Sequence, residues 1–557
     1  MSEDLGLFHS QLLDYLEKNA LTEQCADLFE DKNPIHFERK LLESFHLPNM
    51  YRGLPRLYDR EMPAKSRVKK EFTDLSSLKR LVSERELFQI YEKFTLPLKA
   101  KICFFTWVIW DGWGDYIAAF EVIDLLKKKF PLLEMDWVVL VCSRKKLPHL
   151  PTPCKTHTVF YEKDCPLSLI DSSILQILRS SHLILQIPTY YPCTQDLCEV
   201  LKEGVERVPK LVSVGEYGFL ESQWFHPKTS NRSMGLHFLE KGILIRENLS
   251  EKFPSFQQVE NRQLVNWLFP QGIDEESYLA AHHFYVAYLA TPIGGAVYLH
   301  ALLKAHEFSE KTIDICCPDI GWFIAYLEMQ NKAGRPILES LDSCLEVYTQ
   351  EKIYTFGSES LVKKVRIFSP GIISISDFHI LIQLSGEFVG VRGNQSFSEA
   401  ISLGKLFFYD GRNHARYFLK DLLALAENRI ASYPTSLKVL RAMREVFLYN
   451  LEKEEKQWIE EIYFQEKRCW KEIALELGQS LQDPKVVSGF KQLAQIIQEE
   501  HSFNDFFCQL IQRELCHVFH PLIARFEEEC MEEFLKEKIS FSELIDRLKR
   551  EMNTRFS

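Results

Sequence analysis

At 557 residues the chain is longer than one hydrophobic core usually serves, so two to four domains are expected. Hydrophobic residues at 46% and charged residues at 26%, with only 23 Gly and 23 Pro, exclude a fibrous, low-complexity or wholly disordered protein. The 67 basic against 78 acidic side chains, a net charge of -11, argue against wholesale binding to nucleic acid or anionic lipid.

The start, Met1-Ser2-Glu3-Asp4-Leu5, has no basic stretch leading into an apolar core. No run of about 18 apolar residues occurs, so neither a signal peptide nor a membrane span is expected. The 14 cysteines carry no C-x-x-C pair, and adjacent Cys316-Cys317 lies in an apolar run. They read as reduced core thiols rather than a metal site or a disulfide framework. A cytoplasmic protein is expected, or one exported by a specialised secretion system that needs no signal peptide.

Residues 1–95 read as an N-terminal helical extension, with Leu7, Leu12, Leu13 and Leu16, then Leu78, Leu81, Leu87, Ile90 and Tyr91, at helical spacing. Between these groups the basic stretch from Arg52 to Lys70, broken by Pro55 and Pro63, reads as a solvated loop or a contact for an anion or acceptor. Ile102 to Ile109 is a strand-length apolar run, broken by Asp111-Gly112-Trp113-Gly114-Asp115, and Tyr116 to Lys129 is a helix. Trp137 to Cys142, Thr158 to Tyr161, His182 to Ile187 and Leu211 to Val214 are further strands. Unbroken apolar strands separated by helices indicate a parallel sheet covered on both faces, so 96–275 is assigned a Rossmann-like domain. His226 to Ser233 is expected to be a turn.

A second Rossmann-like domain is assigned to 276–413. It takes strands from Phe284 to Leu289, Thr312 to Cys316, Val365 to Phe368, Ile380 to Leu384 and Leu406 to Tyr409, and helices from Ala296 to His306 and from Ser396 to Leu403. Residues 414–557 read as an all-helical tail, with Trp458, Ile459, Ile462 and Tyr463, then Phe503, Phe506, Phe507, Leu510 and Ile511, at helical spacing. No internal repeat is visible.

Two constellations carry chemistry. In Arg392 to Gly404, Gly393 breaks the chain before Ser396-Phe397-Ser398-Glu399, which matches the S-x-x-E capping box. The segment is either a capped helix start or a seat for a diphosphate, with free N–H groups, a positive dipole end and Arg392 to hold it. In Asp111-x-x-Gly114-Asp115, directly after the first strand, Gly112 and Gly114 permit a tight turn that leaves two carboxylates near a helix start. Either one takes a proton as general base, or Asp115 caps the helix and Asp111 belongs to the turn. The loop at Thr291, Gly294 and Gly295 opens the first helix of the second domain and, if the two domains face each other, is expected to border the donor cleft between them. His282-His283 reads as structural, because neighbours on a strand face opposite ways. No H-E-x-x-H, G-x-S-x-G or P-loop motif occurs.

The segment Gly393-x-x-Ser396-x-x-Glu399-Ala400-x-x-x-Gly404-Lys405 resembles the G-x-x-S/T-x-x-E-A-x-x-x-G-K/R-P motif of glycosyltransferases with two facing Rossmann-like domains, the GT-B type, with Leu406 in place of the proline. That resemblance implies that 96–275 is the acceptor side and 276–413 the donor side. It further implies that Gly393 and Ser396 lie against the donor phosphates and that Glu399 accepts from the ribose. More narrowly, the chain resembles the bacterial protein-arginine rhamnosyltransferases that modify elongation factor P. Their D-N-F-G-D is similar to Asp111-Gly112-Trp113-Gly114-Asp115, their R-G-E-D-S-F is similar to Arg392-Gly393-Asn394-Gln395-Ser396-Phe397, and Tyr409-Asp410 and His414 fit their spacing. The family's acidic pair is Asn394-Gln395 here, which leaves donor and acceptor open.

The resemblance implies an inverting transfer from a nucleotide-sugar donor to an acceptor, a protein, with Asp111 as base and Asp115 beside it. Arg392, Gly393, Asn394, Gln395, Ser396, Phe397 and Glu399 would be on the donor. Beyond that co-substrate no cofactor is expected; backbone amides and Arg392 can offset the leaving diphosphate, and with no D-x-D cluster no metal is expected. Neither a nucleic-acid partner nor a membrane span is expected. The alternatives are a sugar-nucleotide epimerase or hydrolase on the same fold, or an inactive interaction protein that keeps it.

Overall fold

The computed structural model describes residues 83–97, 99–108, 114–141, 152–161, 170–188, 197–202, 208–215, 217, 230–236, 240–246, 249, 254–318, 320–332, 343–357, 363–371, 373–411, 416–449, 469–536 and 538–556. The basic loop, the helices expected before residue 83, the Trp458 to Tyr463 segment and His414 lie outside the described residues. The chain divides into two compact units, Met1–Ile243 with Ser502–Ser557, and Leu244–His501.

The first unit is built on six parallel strands, β1 (Lys101–Val108), β2 (Glu134–Val141), β3 (Lys155–Phe160), β4 (Leu183–Gln186), β5 (Lys210–Gly215) and β6 (Ser230–Ser233), in the order β3-β2-β1-β4-β5-β6. Running outward both ways from β1, this is a doubly wound Rossmann order. In β1 every residue from Ile102 on is buried and in β2 every residue from Met135 on, so both faces are covered. The Gly114–Lys129 helix joins β1 to β2 and lays Tyr116 on Trp137, ring centroids 4.6 Å apart. The Ser172–Ser180 helix joins β3 to β4, with the Asp171 carboxylate accepting from Ser173 N–H at 2.7 Å.

Residues 83–89 are helical, and the helices Phe503–Phe519, Pro521–Leu535 and Phe541–Phe556 complete this unit. Phe88 stacks on Phe506 at 5.4 Å; burying such a side chain contributes about 1.5–3 kcal/mol. Half-buried Arg513 pairs with Glu514 and Glu527, and Tyr91 donates to Glu527.

The second unit holds β7 (His282–Val286), β8 (Thr312–Cys316), β9 (Ser343–Thr349), β10 (Ile353–Phe356), β11 (Lys363–Ser369), β12 (Phe388–Val391) and β13 (Leu406–Tyr409). The order is β10-β9-β11-β8-β7, parallel but for β10, and β12 pairs with β13 in parallel. A parallel bridge from Ala287 to Gly390, with Tyr288 N–H donating to Gly390 C=O at 2.8 Å, sets β12 beside β7. The strand order therefore reverses between β7 and β12. Helices Pro292–Ala305, Gly321–Lys332, Ile375–Leu384 and Asn394–Ser402 make the crossovers, and Arg416–Arg429, Pro434–Tyr449, Trp470–Leu481 and Pro484–Glu500 pack around them.

The fold is thus α/β, one Rossmann-like sheet per unit with C-terminal helices, as the sequence led us to expect. Several particulars differ. The run Ile380 to Leu384, expected as a strand, is the last turn and a half of the Ile375–Leu384 helix, whose start is capped by Ser374 accepting from Asp377 N–H at 3.0 Å. β6 occupies part of the expected His226 to Ser233 turn, whose residues 226–229 lie outside the described set. The helices after residue 413 do not form one tail: those up to His501 belong to the second unit and those from Ser502 to the first. The unit boundary at Ile243 and Leu244 likewise differs from the expected one at 275 and 276. The described cysteines form no disulfide, and most of them are buried. No described helix is long and apolar enough to cross a membrane.

Candidate functional site

In a doubly wound sheet, ligands sit outside the carboxyl ends of the strands where the order reverses. In the second unit that point lies between β7 and β12. The chain leaving β7 runs through Tyr288 to Gly294 into the Pro292–Ala305 helix, and the chain leaving β12 runs through Arg392 and Gly393 into the Asn394–Ser402 helix. The two loops meet: the Arg392 guanidinium lies 4.5 Å from the Tyr288 ring centroid, and its Nη1 donates to Leu289 C=O at 3.5 Å.

The Asn394–Ser402 helix begins two residues before the start expected from the capping-box pattern. Gly393 is its N-cap, so Ser396 is the third helical residue. The Ser396 hydroxyl accepts from Arg392 N–H (3.2 Å) and Gly393 N–H (3.3 Å), folding the loop back on the helix. Gly393 has extended backbone (φ -148°), which any residue adopts, and a Cβ there would meet nothing within 4 Å. Among the described residues, neither conformation nor packing calls for a glycine at this position.

Arg392, Gly393, Asn394 and Gln395 are half-buried, whereas Phe397 and Glu399 are buried. The Phe397 ring is fully buried among Phe407, Tyr409 and Phe418. Glu399 is likewise fully buried: its Oε1 lies 2.7 Å from His379 Nε2, accepts from Gln395 Nε2 at 3.2 Å and is 3.5 Å from Arg246 Nη2. Burial raises the Glu399 carboxyl, but Arg246 and His379 outweigh it and hold the group below the usual carboxylate range. Glu399 thus does not cap the helix; it ties the helix to Arg246 and His379, two residues that sequence reasoning did not single out.

At the other loop Thr291 is the N-cap of its helix, its hydroxyl accepting from Gly294 N–H at 3.0 Å. In front stands a residue noted in the sequence only for its spacing, Asp410, at the carboxyl end of β13. Its Oδ2 accepts from Ala290 N–H (2.7 Å) and Thr291 N–H (2.8 Å), and its Oδ1 from the Thr291 hydroxyl (2.7 Å). Burial pushes this carboxyl up to about 6, against the opposing pull of the Thr291 hydroxyl, the two amides and Arg392. Gly294 is pressed under Asp410, and Gly295 lies against Trp322 and Phe323.

In the first unit the corresponding reversal lies between β1 and β4. Asp111 and Gly112 lie outside the described residues. Asp115 is half-buried in the first turn of the Gly114–Lys129 helix, and a Cβ at Gly114 would meet nothing within 4 Å. His282 meets Asp314 and Arg366, and His283 meets Ser309, which are structural roles on opposite faces of β7. Among the described residues no group of three or more His, Cys, Asp or Glu could hold a metal ion.

Compared by sequence, the chain matches no family model and no curated protein. Among solved structures it is similar to a putative UDP-N-acetylglucosamine 2-epimerase from Listeria monocytogenes, at 11% identity and a TM-score of 0.36 over 80% of this chain and 98% of that one. It is also similar to the alpha,alpha-trehalose 6-phosphate synthase of Burkholderia multivorans, at 10% identity and a TM-score of 0.36 over 76% and 99%. A glycosyltransferase from Rickettsia africae aligns at 8% identity and a TM-score of 0.35 over 76% and 99%. The fold assignment rests on the strand order and register described above.

Proposed function

We propose that this chain is a nucleotide-sugar glycosyltransferase that holds its donor's diphosphate at the N-terminus of the Asn394–Ser402 helix. The observation that carries the reading is the position of that terminus where the strand order reverses, with half-buried Arg392 at its entry and a Gly393 whose Cβ would meet nothing within 4 Å among the described residues. Arg392 and the first amides of the helix would offset the charge that develops on the leaving diphosphate, so no metal is required. Asn394 and Gln395 would border the donor. Ser396, Phe397 and Glu399 would act from behind by fixing the helix. The Thr291 to Gly295 loop would form the second wall.

On the acceptor side Asp111 is the proposed base, with Asp115 beside it. The base takes the acceptor proton, the acceptor atom bonds to the anomeric carbon, and the carbon–oxygen bond to the diphosphate breaks with its electron pair leaving on oxygen. Attack opposite the leaving group inverts the anomeric centre. A protein side chain is the proposed acceptor, and the resemblance to the protein-arginine rhamnosyltransferases supports that choice.

The test is thermal shift of the full chain against a panel of uridine, guanosine and thymidine diphosphate sugars. At least one should raise the melting temperature, and no shift with any of them overturns the reading. Incubation with the binding donor alone then separates the alternatives, since a hydrolase or epimerase consumes or isomerises it without an acceptor.

A further inference from the structure

Two helices begin at the reversal point of the second sheet, and their N-termini are not equivalent. Among the described residues a Cβ on Gly393, at the Asn394–Ser402 start, would meet nothing within 4 Å, while the space at Gly294, in the first turn of the Pro292–Ala305 helix, is already filled. What fills it is the Asp410 carboxylate, only 2% exposed, held by two amides and one hydroxyl at 2.7–2.8 Å. The donors belong to the N-cap Thr291 and to Ala290 before it, so the carboxylate sits, as a bound anion would, on the turn that opens the helix. The fit is close: an added Cβ on Gly294 would stand 2.3 Å from Asp410 Cγ.

The geometry points to Asp410 as an internal anion that takes the phosphate place at the second helix start and thereby confines an anionic ligand to the Asn394 terminus. Asp410 is a positioning residue. It touches no reacting atom, but it fixes the Ala290 to Gly294 turn and adds a negative charge behind that wall. The confinement rests on the donor reading above; the occupied seat itself does not.

Removing the side chain while leaving its donors in place should create a seat that a small external anion can refill. The full chain, wild type and Asp410→Ala, is melted at pH 7.5 in sodium chloride and in formate or inorganic phosphate at matched ionic strength. Asp410→Ala should melt lower in chloride, and about 50 mM formate or phosphate should recover at least about half of that loss, by mass action on the folded state. The wild type should shift little between these salts. Asp410→Asn keeps the volume and leaves no room for an anion, so it should lose stability without recovery. Equal responses of wild type and Asp410→Ala, or none in either, overturn the inference.

If Asp410→Ala does not fold, it is refolded from urea with and without formate; a yield that does not depend on formate overturns the inference too. Binding of uridine, guanosine and thymidine diphosphates to the wild type is measured alongside. Recovery by anions without nucleotide binding sinks the donor reading alone, and nucleotide binding without recovery sinks the Asp410 inference alone.

Discussion

Gly294 and Asp410 fit each other so tightly that one methyl group would separate them: a Cβ on Gly294 would lie 2.3 Å from Asp410 Cγ, 2.3 Å from its Oδ1 and 2.5 Å from its Oδ2. Gly294 does not owe its identity to a left-handed backbone, since it is an ordinary helical residue. Gly294→Ala should therefore cost about 1–3 kcal/mol, the usual range for overpacking. Urea denaturation monitored by circular dichroism gives the value, and a change below about 0.5 kcal/mol would show that Asp410 moves aside freely.

Asp410 also predicts a pH dependence. Its carboxyl stands at about 6 in the folded state against an ordinary 3.8, so the folded state favours the protonated form. The proton-linked part of its contribution is fully present below about 3.8 and is lost as pH rises through about 6, leaving the hydrogen bonds that the carboxylate accepts from Ala290 and Thr291. Arg392 pulls the carboxyl the other way, toward the ionised form. Wild type minus Asp410→Asn should therefore fall by up to ~3 kcal/mol between pH 4 and pH 7, at ~1.4 kcal/mol per pK unit. A flat difference across that interval would contradict the assignment.

Glu399→Gln leaves Arg246 and His379 beside a neutral group in a buried setting. A loss of about 3 kcal/mol is expected, as for other buried pairs deprived of one partner. Because the Glu399 carboxyl is held low, its contribution is present above the usual carboxylate range and is lost as pH falls through the folded value. The gap between wild type and variant should thus narrow in acid. Full stability with selective loss of nucleotide affinity would instead mark Glu399 as a ligand contact.

Arg392→Ala and Asp111→Asn should separate binding from turnover. Arg392→Ala is expected to weaken nucleoside diphosphate binding about tenfold, ~1.4 kcal/mol, within the range of a hydrogen bond to a charged group. Asp111→Asn should abolish transfer while donor affinity stays within about twofold of wild type. Calorimetry and a transfer assay read the two effects, and normal transfer by Asp111→Asn removes it as the base.

Legibility in the sequence followed the length and purity of each apolar run. β1, β2 and the helix between them were readable because Ile102 to Val108 and Met135 to Val141 are buried throughout and the intervening helix ends in three lysines. β12 was not, because Phe388–Val391 is four residues long and contains Gly390. That glycine lets β12 close on β7, where a Cβ would lie 3.0 Å from Ala287 Cα. Ile380 to Leu384 misled because a short apolar run has no period that separates strand from helix. Ser396 and Glu399 were legible as a pattern but not as a geometry, since the cap fell on Gly393. Asp410 could not be weighed at all, because its role depends on partners 119 and 120 residues away in sequence.

The division of the last helices between the units carries a consequence for biosynthesis. Leu244–His501 is contiguous, whereas the first unit needs Ser502–Ser557 as well. A ribosome therefore delivers the second unit whole before the first one can be finished. Until then Phe88, emerging early, lacks Phe506, the ring it stacks on. The nascent N-terminal sheet must wait with that apolar surface uncovered, and this interval is when a holding chaperone would matter most.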